Sequence, residues 1–337
     1  MSEAAEPVER TEFTFDSADG TSQVHGVLWV PLGMAVEKTD EDGAAVLGSF
    51  RPRGVVQLVH GMSEHIGRYD HFARFLAGRG YLVCGHDHVG HGETAGNEDN
   101  LGVIDPTAGA DTMIADVQFL RLLMTRQVVS GTPYFLFGHS MGSLVLRSYL
   151  ARYGEGLAGA ILCGTAQENL AVARAGNLAA RAISRLRGPR CKSKLLHSLA
   201  DGAYGRQIEN ARTPHDWLSC DPEVVDAFRA APDLGFMFSA GGYATLTELA
   251  FRAACPATVK ATPKALPQLY VAGEGDPVGN FGKGVARAVE NLEKAGAEDL
   301  TLRLFPAMRH EILNERGKEE VYDFILEWIN IHNQANA

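Results

Sequence analysis

Near the start of the chain, Thr11–Asp16 and Val24–Pro31 carry strand-like patterning, and the turn Ala18-Asp19-Gly20 between them predicts a β-hairpin. Residues 32–53 are polar and loop-like. From Gly54 onward the pattern becomes regular. Val55–His60 (VVQLVH) is an apolar run of strand length, Tyr69–Gly80 sets Phe72, Phe75 and Leu76 at helical spacing, and Tyr81–Asp87 (YLVCGHD) is strand-like again. Thr107–Arg126 repeats apolar residues at Ile114, Val117, Leu120 and Leu123, the stripe of a helix lying on a core. An apolar run at Tyr134–Phe137, a helix pattern to Leu150 and a strand at Ala158–Gly164 follow. The alternation resumes with strand Gln268–Ala272, helix Gly284–Ala295, strand Leu300–Phe305 and a helix near Lys318–Ile331. Strands alternating with helices predict a mostly parallel central sheet covered by helices on both faces.

Regularity is lost between residues 165 and 266, a stretch rich in Ala and Arg and then in Trp217, Phe228, Phe236, Met237, Phe238 and Tyr243. Segments of that length carry structure or function of their own. It is expected to form a helical cap inserted above the strand ends, with 1–164 and 267–337 as the core. Its aromatic residues are candidates for a substrate pocket or for the cap's own core.

The strand at Tyr134 stops at Gly138-His139-Ser140-Met141-Gly142, and a helix pattern starts at once. Strand, Gly-x-Ser-x-Gly turn and helix make the context of a nucleophile elbow. The serine sits at a cramped bend, so the residues two before and two after it must be small. The first N–H after it, that of Met141, is placed to serve an oxyanion. A second N–H is expected from the loop after Val55–His60, at Met62.

A serine needs a base, and the base needs an orienting group. Of twelve histidines, His310 stands in the loop between the last strand and the last helix. Asp276 lies just beyond the strand at Gln268, and Glu274, nearer the strand end and flanked by glycines, is the competing carboxylate. The order Ser140, Asp276, His310 is that of an α/β-hydrolase sheet. The segment His86-Asp87-His88-Val89-Gly90-His91 invites a metal reading, but alternation at a strand end points successive side chains apart. Gly90, Gly92 and Ala95 fit a G-x-G-x-x-A string with turn residues where a dinucleotide fold needs a helix, so no nucleotide cofactor is expected.

A formal net charge of −10 argues against nucleic acid as a partner. No apolar run approaches membrane-spanning length, the N-terminus lacks a basic-then-apolar leader, and a cytoplasmic location is expected. The five scattered cysteines indicate neither zinc site nor disulfide frame, and Cys84 and Cys163 read as small core residues. One charged feature departs from the rest: Arg174 to Lys194 holds seven basic residues and no acid, interleaved with Leu178, Ala182, Ile183 and Leu186. A basic amphipathic stretch on the cap suits transient contact with an anionic membrane surface.

Together, HGMSEHIGRYDHFARFLAGRGYLVCGHDHVGHG (His60–Gly92), GHSMG, GEGDPVG and RHEILNE resemble the monoacylglycerol lipase and lysophospholipase group of α/β-hydrolase serine hydrolases. The resemblance implies a triad of Ser140, Asp276 and His310, oxyanion donors at Met62 and Met141, and contacts from Glu64 and Arg68 to the alcohol end of the substrate. It implies hydrolysis of monoacylglycerol or lysophospholipid esters through an acyl-enzyme, without metal or organic cofactor. Val89 stands where the related turn has Arg, and Leu313 where some monoglyceride lipases have a second His, which leaves other esters open. The alternatives are a small-ester esterase, a proline-type aminopeptidase using cap acids Glu223, Asp226 and Glu248, and a binding module without turnover.

Overall fold

The hairpin forms from β1 (Val8–Asp16) and β2 (Gln23–Pro31), paired antiparallel from Val8 opposite Pro31 to Asp16 opposite Gln23. Its turn is fastened by the Asp19 carboxylate, which accepts from the Thr21 and Ser22 N–H groups at 2.7 Å each. The computed structural model describes residues 7–32, 38–39, 45–46 and 52–334, so most of the polar stretch 32–53 lies outside the described residues. Within it, β3 (Lys38–Thr39) and β4 (Ala45–Val46) form a two-stranded ribbon.

The regular part follows the predicted alternation: β5 (Val55–Val59), α1 (Asp70–Ala77), β6 (Leu82–His86), α2 (Gly109–Gln127), β7 (Tyr134–His139), α3 (Met141–Tyr153) and β8 (Gly159–Cys163). After the intervening stretch come β9 (Gln268–Gly273), α9 (Lys283–Lys294), β10 (Leu300–Phe305) and α10 (Lys318–Gln334). The eight-stranded sheet runs in the order β1-β2-β6-β5-β7-β8-β9-β10. It is parallel from β6 to β10 and antiparallel across β1, β2 and β6.

Alternation along the strands divides the core into two layers. Val55, Val59, Tyr134 and Leu136 pack with Val117, Leu120, Val145 and Leu292 on one face. Val56, Leu58, Phe135 and Phe137 pack with Phe72, Leu76, Ile325 and Trp328 on the other. Cys84 and Cys163 are fully buried among these residues, one on each face. The chain leaves β5 toward β6 on one side and returns through α2 to β7 on the other. That reversal opens a crevice beyond the carboxyl ends of β5 and β7, where ligands of open α/β sheets bind.

Between β8 and β9 the chain is helical: α4 (Leu170–Arg187), α5 (Lys194–Leu199), α6 (Pro222–Ala230), α7 (Ala240–Ala254) and α8 (Pro256–Ala261). These helices stand where a cap is expected. Helix α4 turns small residues inward (Ala173, Asn177, Ala180, Ser184), and the Asn177 amide donates to the Ala244 carbonyl of α7 at 3.0 Å. Tyr243, Leu249 and Ala253 of α7 share one apolar cluster with Leu144 and Val145 of α3, so the layer above the sheet continues into these helices.

Candidate active site

The bend after β7 is built as its glycines require. A methyl on Gly138 would meet the Gly142 carbonyl oxygen at 2.7 Å, and one on Gly142 would land on the Val59 carbonyl oxygen. Both are backbone atoms that cannot swing aside. Ser140 adopts φ 53°, ψ −120°, a region side-chain-bearing residues rarely occupy, and immediately precedes α3. Its N–H donates to the Cys163 carbonyl at 2.9 Å, and its own carbonyl accepts from the Ser143 hydroxyl at 2.6 Å. Met141 is the first residue of α3, so its N–H has no intrahelical partner and stands at the positive end of the helix dipole. Met62, in the loop after β5, lies on the wall of the same cavity.

Asp276 and His310 meet. The Asp276 Oδ2 and His310 Nδ1 atoms are 3.0 Å apart, with both side chains buried. Asp276 Oδ1 also accepts from the Val278 N–H at 2.8 Å, which fixes the carboxylate plane. Glu274, the competing carboxylate, is exposed. Gly164 gives the imidazole room, since a methyl there would stand 3.1 Å from its Cε1. The Trp217 ring lies 5.1 Å from that of His310, and the His310 N–H faces the Trp217 carbonyl at 3.4 Å.

Ser140, Met141, Met62, Glu64 and His310 border one cavity of about 500 Å³ roofed by the helices between β8 and β9. Of the candidate aromatics, Trp217, Phe228 and Tyr243 line it, whereas Phe236 and Phe238 stack on each other beside His91 in the apolar layer. Ala173, Gly176 and Ala179 of α4 and Leu246 and Ala250 of α7 supply much of the remaining wall. Arg68 stands behind Glu64, in a small crevice with His71, Glu311 and Asn314.

Two residues adjoining predicted ones stand against the predicted site residues and were not anticipated. His139 and Glu311, each next in sequence to a candidate, join Glu64 and Arg68 in a buried charged cluster. Burial alone would raise the Glu64 carboxyl, but His139 and Arg68 hold it well below the usual carboxylate range. Glu311 is likewise raised by burial and brought below its ordinary value by Arg68.

The histidine-rich turn also folds differently from expectation. Strand β6 ends at His86, and the turn beyond it brings His88 and His91 back onto His60, with ring centroids 4.4 and 5.1 Å from that of His60. Among the described residues no group of His, Cys, Asp and Glu has the arrangement of a metal site. Burial pushes His86 and His91 down to about 3 and His88 well below its ordinary value, helped for His88 by its histidine neighbours.

The sheet order, the strained serine turn and the crevice above it define a serine hydrolase of the α/β-hydrolase class. The chain belongs to the serine aminopeptidase S33 family, whose pattern matches residues 51–317. It is 29% identical over 323 residues to a monoacylglycerol lipase of Mycolicibacterium smegmatis, covering 96% of this chain and 98% of that one. Human monoglyceride lipase is 36% identical over 99 residues, which is 28% of this chain and 29% of that protein. A thermostable carboxyl esterase of Bacillus coagulans, crystallised with glycerol, superposes with a TM-score of 0.84 at 30% identity, over 96% of this chain and 99% of that one.

Proposed function

We propose that the protein cleaves carboxylic esters of single-chain lipids, monoacylglycerol or lysophospholipid, through an acyl-enzyme on Ser140. The observation that carries this reading is the cavity of about 500 Å³, walled chiefly by apolar side chains, with Ser140 and His310 among its lining residues. In this reading His310 takes the Ser140 proton as Oγ attacks the ester carbonyl. The N–H groups of Met62 and Met141 receive the oxyanion, and Asp276 orients His310 and stabilises its cationic form. His310 then passes the proton to the departing alcohol, and water, activated by the same imidazole, releases the fatty acid. Glu64 meets the alcohol end from the cavity wall, and Arg68 acts on it only through Glu64. The resemblance to lipases and an esterase supports the substrate class.

A peptidase reading requires an acid in the cavity to hold a free amine. The cap acids Glu223, Asp226 and Glu248 do not border it; Asp226 pairs with Arg212, and Glu248 with Arg181 and Arg252. The acids that do border it are Glu64 and Glu311, both held by Arg68, and the exposed Glu168. Each methylene moved from water into the cavity is worth roughly 0.8 kcal/mol, about fourfold in kcat/KM. A series of p-nitrophenyl and monoacylglycerol esters is therefore expected to gain about threefold to fourfold per methylene until the chain fills the cavity. Faster turnover of acetyl than of decanoyl esters, or preferential cleavage of prolyl amides, would defeat the lipid reading.

The cap surface supports substrate capture from an anionic lipid surface. Val172 and Leu199 border the cavity yet are 61% and 67% exposed, and Leu178, Leu186 and Leu195 are exposed beside them. Arg174, Arg185, Arg187 and Lys194 are exposed among these leucines, while Arg181, Arg190 and Lys192 bond within the chain. No helix among the described residues is long and apolar enough to cross a membrane, so such contact would be peripheral. Co-sedimentation with phosphatidylglycerol vesicles that disappears at high salt is expected. Equal binding to pure phosphatidylcholine, or none to either, would remove this part of the account.

A further inference from the structure

His139, the residue before Ser140, is buried with each ring nitrogen facing an acceptor. Nδ1 is 3.3 Å from Glu64 Oε1, and Nε2 is 3.3 Å from the His310 carbonyl oxygen. A carboxylate and a carbonyl only accept, whereas a neutral imidazole has a single N–H. In either neutral tautomer one of these two contacts would set lone pair against lone pair in a buried site. A doubly protonated ring satisfies both.

The charges around it give the same answer by a separate route. Arg68 Nη1 donates to Glu64 Oε2 at 2.8 Å, and its two terminal nitrogens donate to the two oxygens of Glu311 at 2.7 Å each. Glu64, Glu311 and Arg68 alone leave one net negative charge on largely buried side chains. A proton on His139 brings the group to neutrality. From the segment after β5, Glu64, Arg68 and Tyr69 face or flank the ring; from the loop after β10, His310 and Glu311 do so; on β8 its register partner is Cys163, whose thiol burial pushes well up and keeps protonated. Among these only the two glutamates are anionic.

We propose that His139 is an imidazolium at neutral pH and serves as a positioning residue, tying the loop that carries Met62 to the backbone of His310. Glu64 transmits the tie on one side, since its Oε1 also accepts from the Gly61 N–H at 2.6 Å and the Tyr69 hydroxyl at 2.8 Å. On the other side the bond falls on the His310 carbonyl itself, while Glu311, next in sequence, is clamped by Arg68. Burial works to lower the His139 pKa, yet the contact with Glu64 raises it above the ordinary histidine value. The cation has a further consequence. Its ring centroid is 4.7 Å from that of His310, so it opposes the charge His310 acquires when it takes the Ser140 proton. This consequence rests on the reading of His310 as the base; the protonation state of His139 does not.

Two measurements separate these points. Nitrogen-15 spectra of the histidine-labelled protein, assigned by comparison with a His139→Gln variant, are expected to show both His139 nitrogens protonated at pH 7 to 8. A single N–H on that ring in this range would overturn the proposal, and the measurement on the unaltered protein needs no variant to be active. In His139→Gln, removal of a positive charge about 5 Å from the base is expected to move the acid limb of log kcat/KM against pH upward by about one unit. A fall in kcat with little change in KM for a short ester is expected with it. An unmoved limb with unchanged kcat would overturn the positioning role, whereas the reading of His310 as base is tested independently by His310→Ala.

Discussion

Ser140→Ala is expected to lower kcat/KM for every ester the protein cleaves by about 10⁴-fold or more, with thermal unfolding shifted by no more than a few degrees. The asymmetry follows from how the bend is held. Its bonds run through the Ser140 backbone, from N–H to Cys163 and from the Ser143 hydroxyl to the Ser140 carbonyl, and alanine keeps both. Alanine also carries the same Cβ into the same positive-φ conformation, so the strain at the turn is unchanged. What is lost is the one atom proposed to form the acyl-enzyme. Steady-state hydrolysis of a medium-chain p-nitrophenyl ester and a calorimetric scan, run on the same preparations, check both halves. A variant that unfolds early would show that the hydroxyl is structural, and one that still turns over would show that another group is the nucleophile.

The second large effect is on stability in acid. His86 and His91 are held near 3 by burial, and His88 is also well below its ordinary value, so all three stay neutral in the folded protein through mildly acidic pH. In the unfolded chain they titrate near the ordinary histidine value of about 6.5. Below that pH the unfolded state binds protons that the folded state refuses, so stability is full above about 6.5 and falls as pH drops toward about 3. Each such histidine removes roughly 1.4 kcal/mol per pH unit within that window, and His86 and His91 together roughly 3 kcal/mol per unit. Against a typical total of about 5–15 kcal/mol this is decisive within a few units. Asp116, raised to about 6 by burial, pulls the other way within this window, and His139, whose folded value is raised, gives a stabilisation that is lost only as pH rises above it; neither balances the turn and His60, also lowered by burial. Acid unfolding followed by circular dichroism is expected between about pH 4 and 5.5, with the midpoint moved to lower pH in His91→Gln. A wild-type protein still folded at pH 3 would contradict the account of this cluster.

The elements were readable because each buries a face with its own period. The apolar runs at Val55, Tyr134 and Gln268 needed both faces covered, and the Phe72 and Ile114 stripes needed one; the strands and helices formed there within a residue or a few. The tight turn at Ser140 was legible because its geometry is set locally by Gly138 and Gly142. The meeting of Asp276 with His310 was legible only as chain order, and the 3.0 Å contact comes from adjacent strand ends. His139 and Glu311 carried no local signal, because their importance lies in partners 75 and 243 residues away. The histidine turn was misjudged for a related reason: alternation governs side chains along a strand, and the strand stops at His86. On α4 the stripe of large apolar residues was visible, but its direction was not. Small residues allow α7 to approach closely, so they turned inward and left Leu178 and Leu186 outside.

The most direct test of the central claim is to treat the protein with a fluorophosphonate and map the adduct by mass spectrometry. One equivalent bound covalently at Ser140, abolished in His310→Ala and absent from Ser140→Ala, is the predicted result. No adduct, or one on another residue, would contradict the assignment of Ser140 as the nucleophile and with it the proposed acyl-enzyme route.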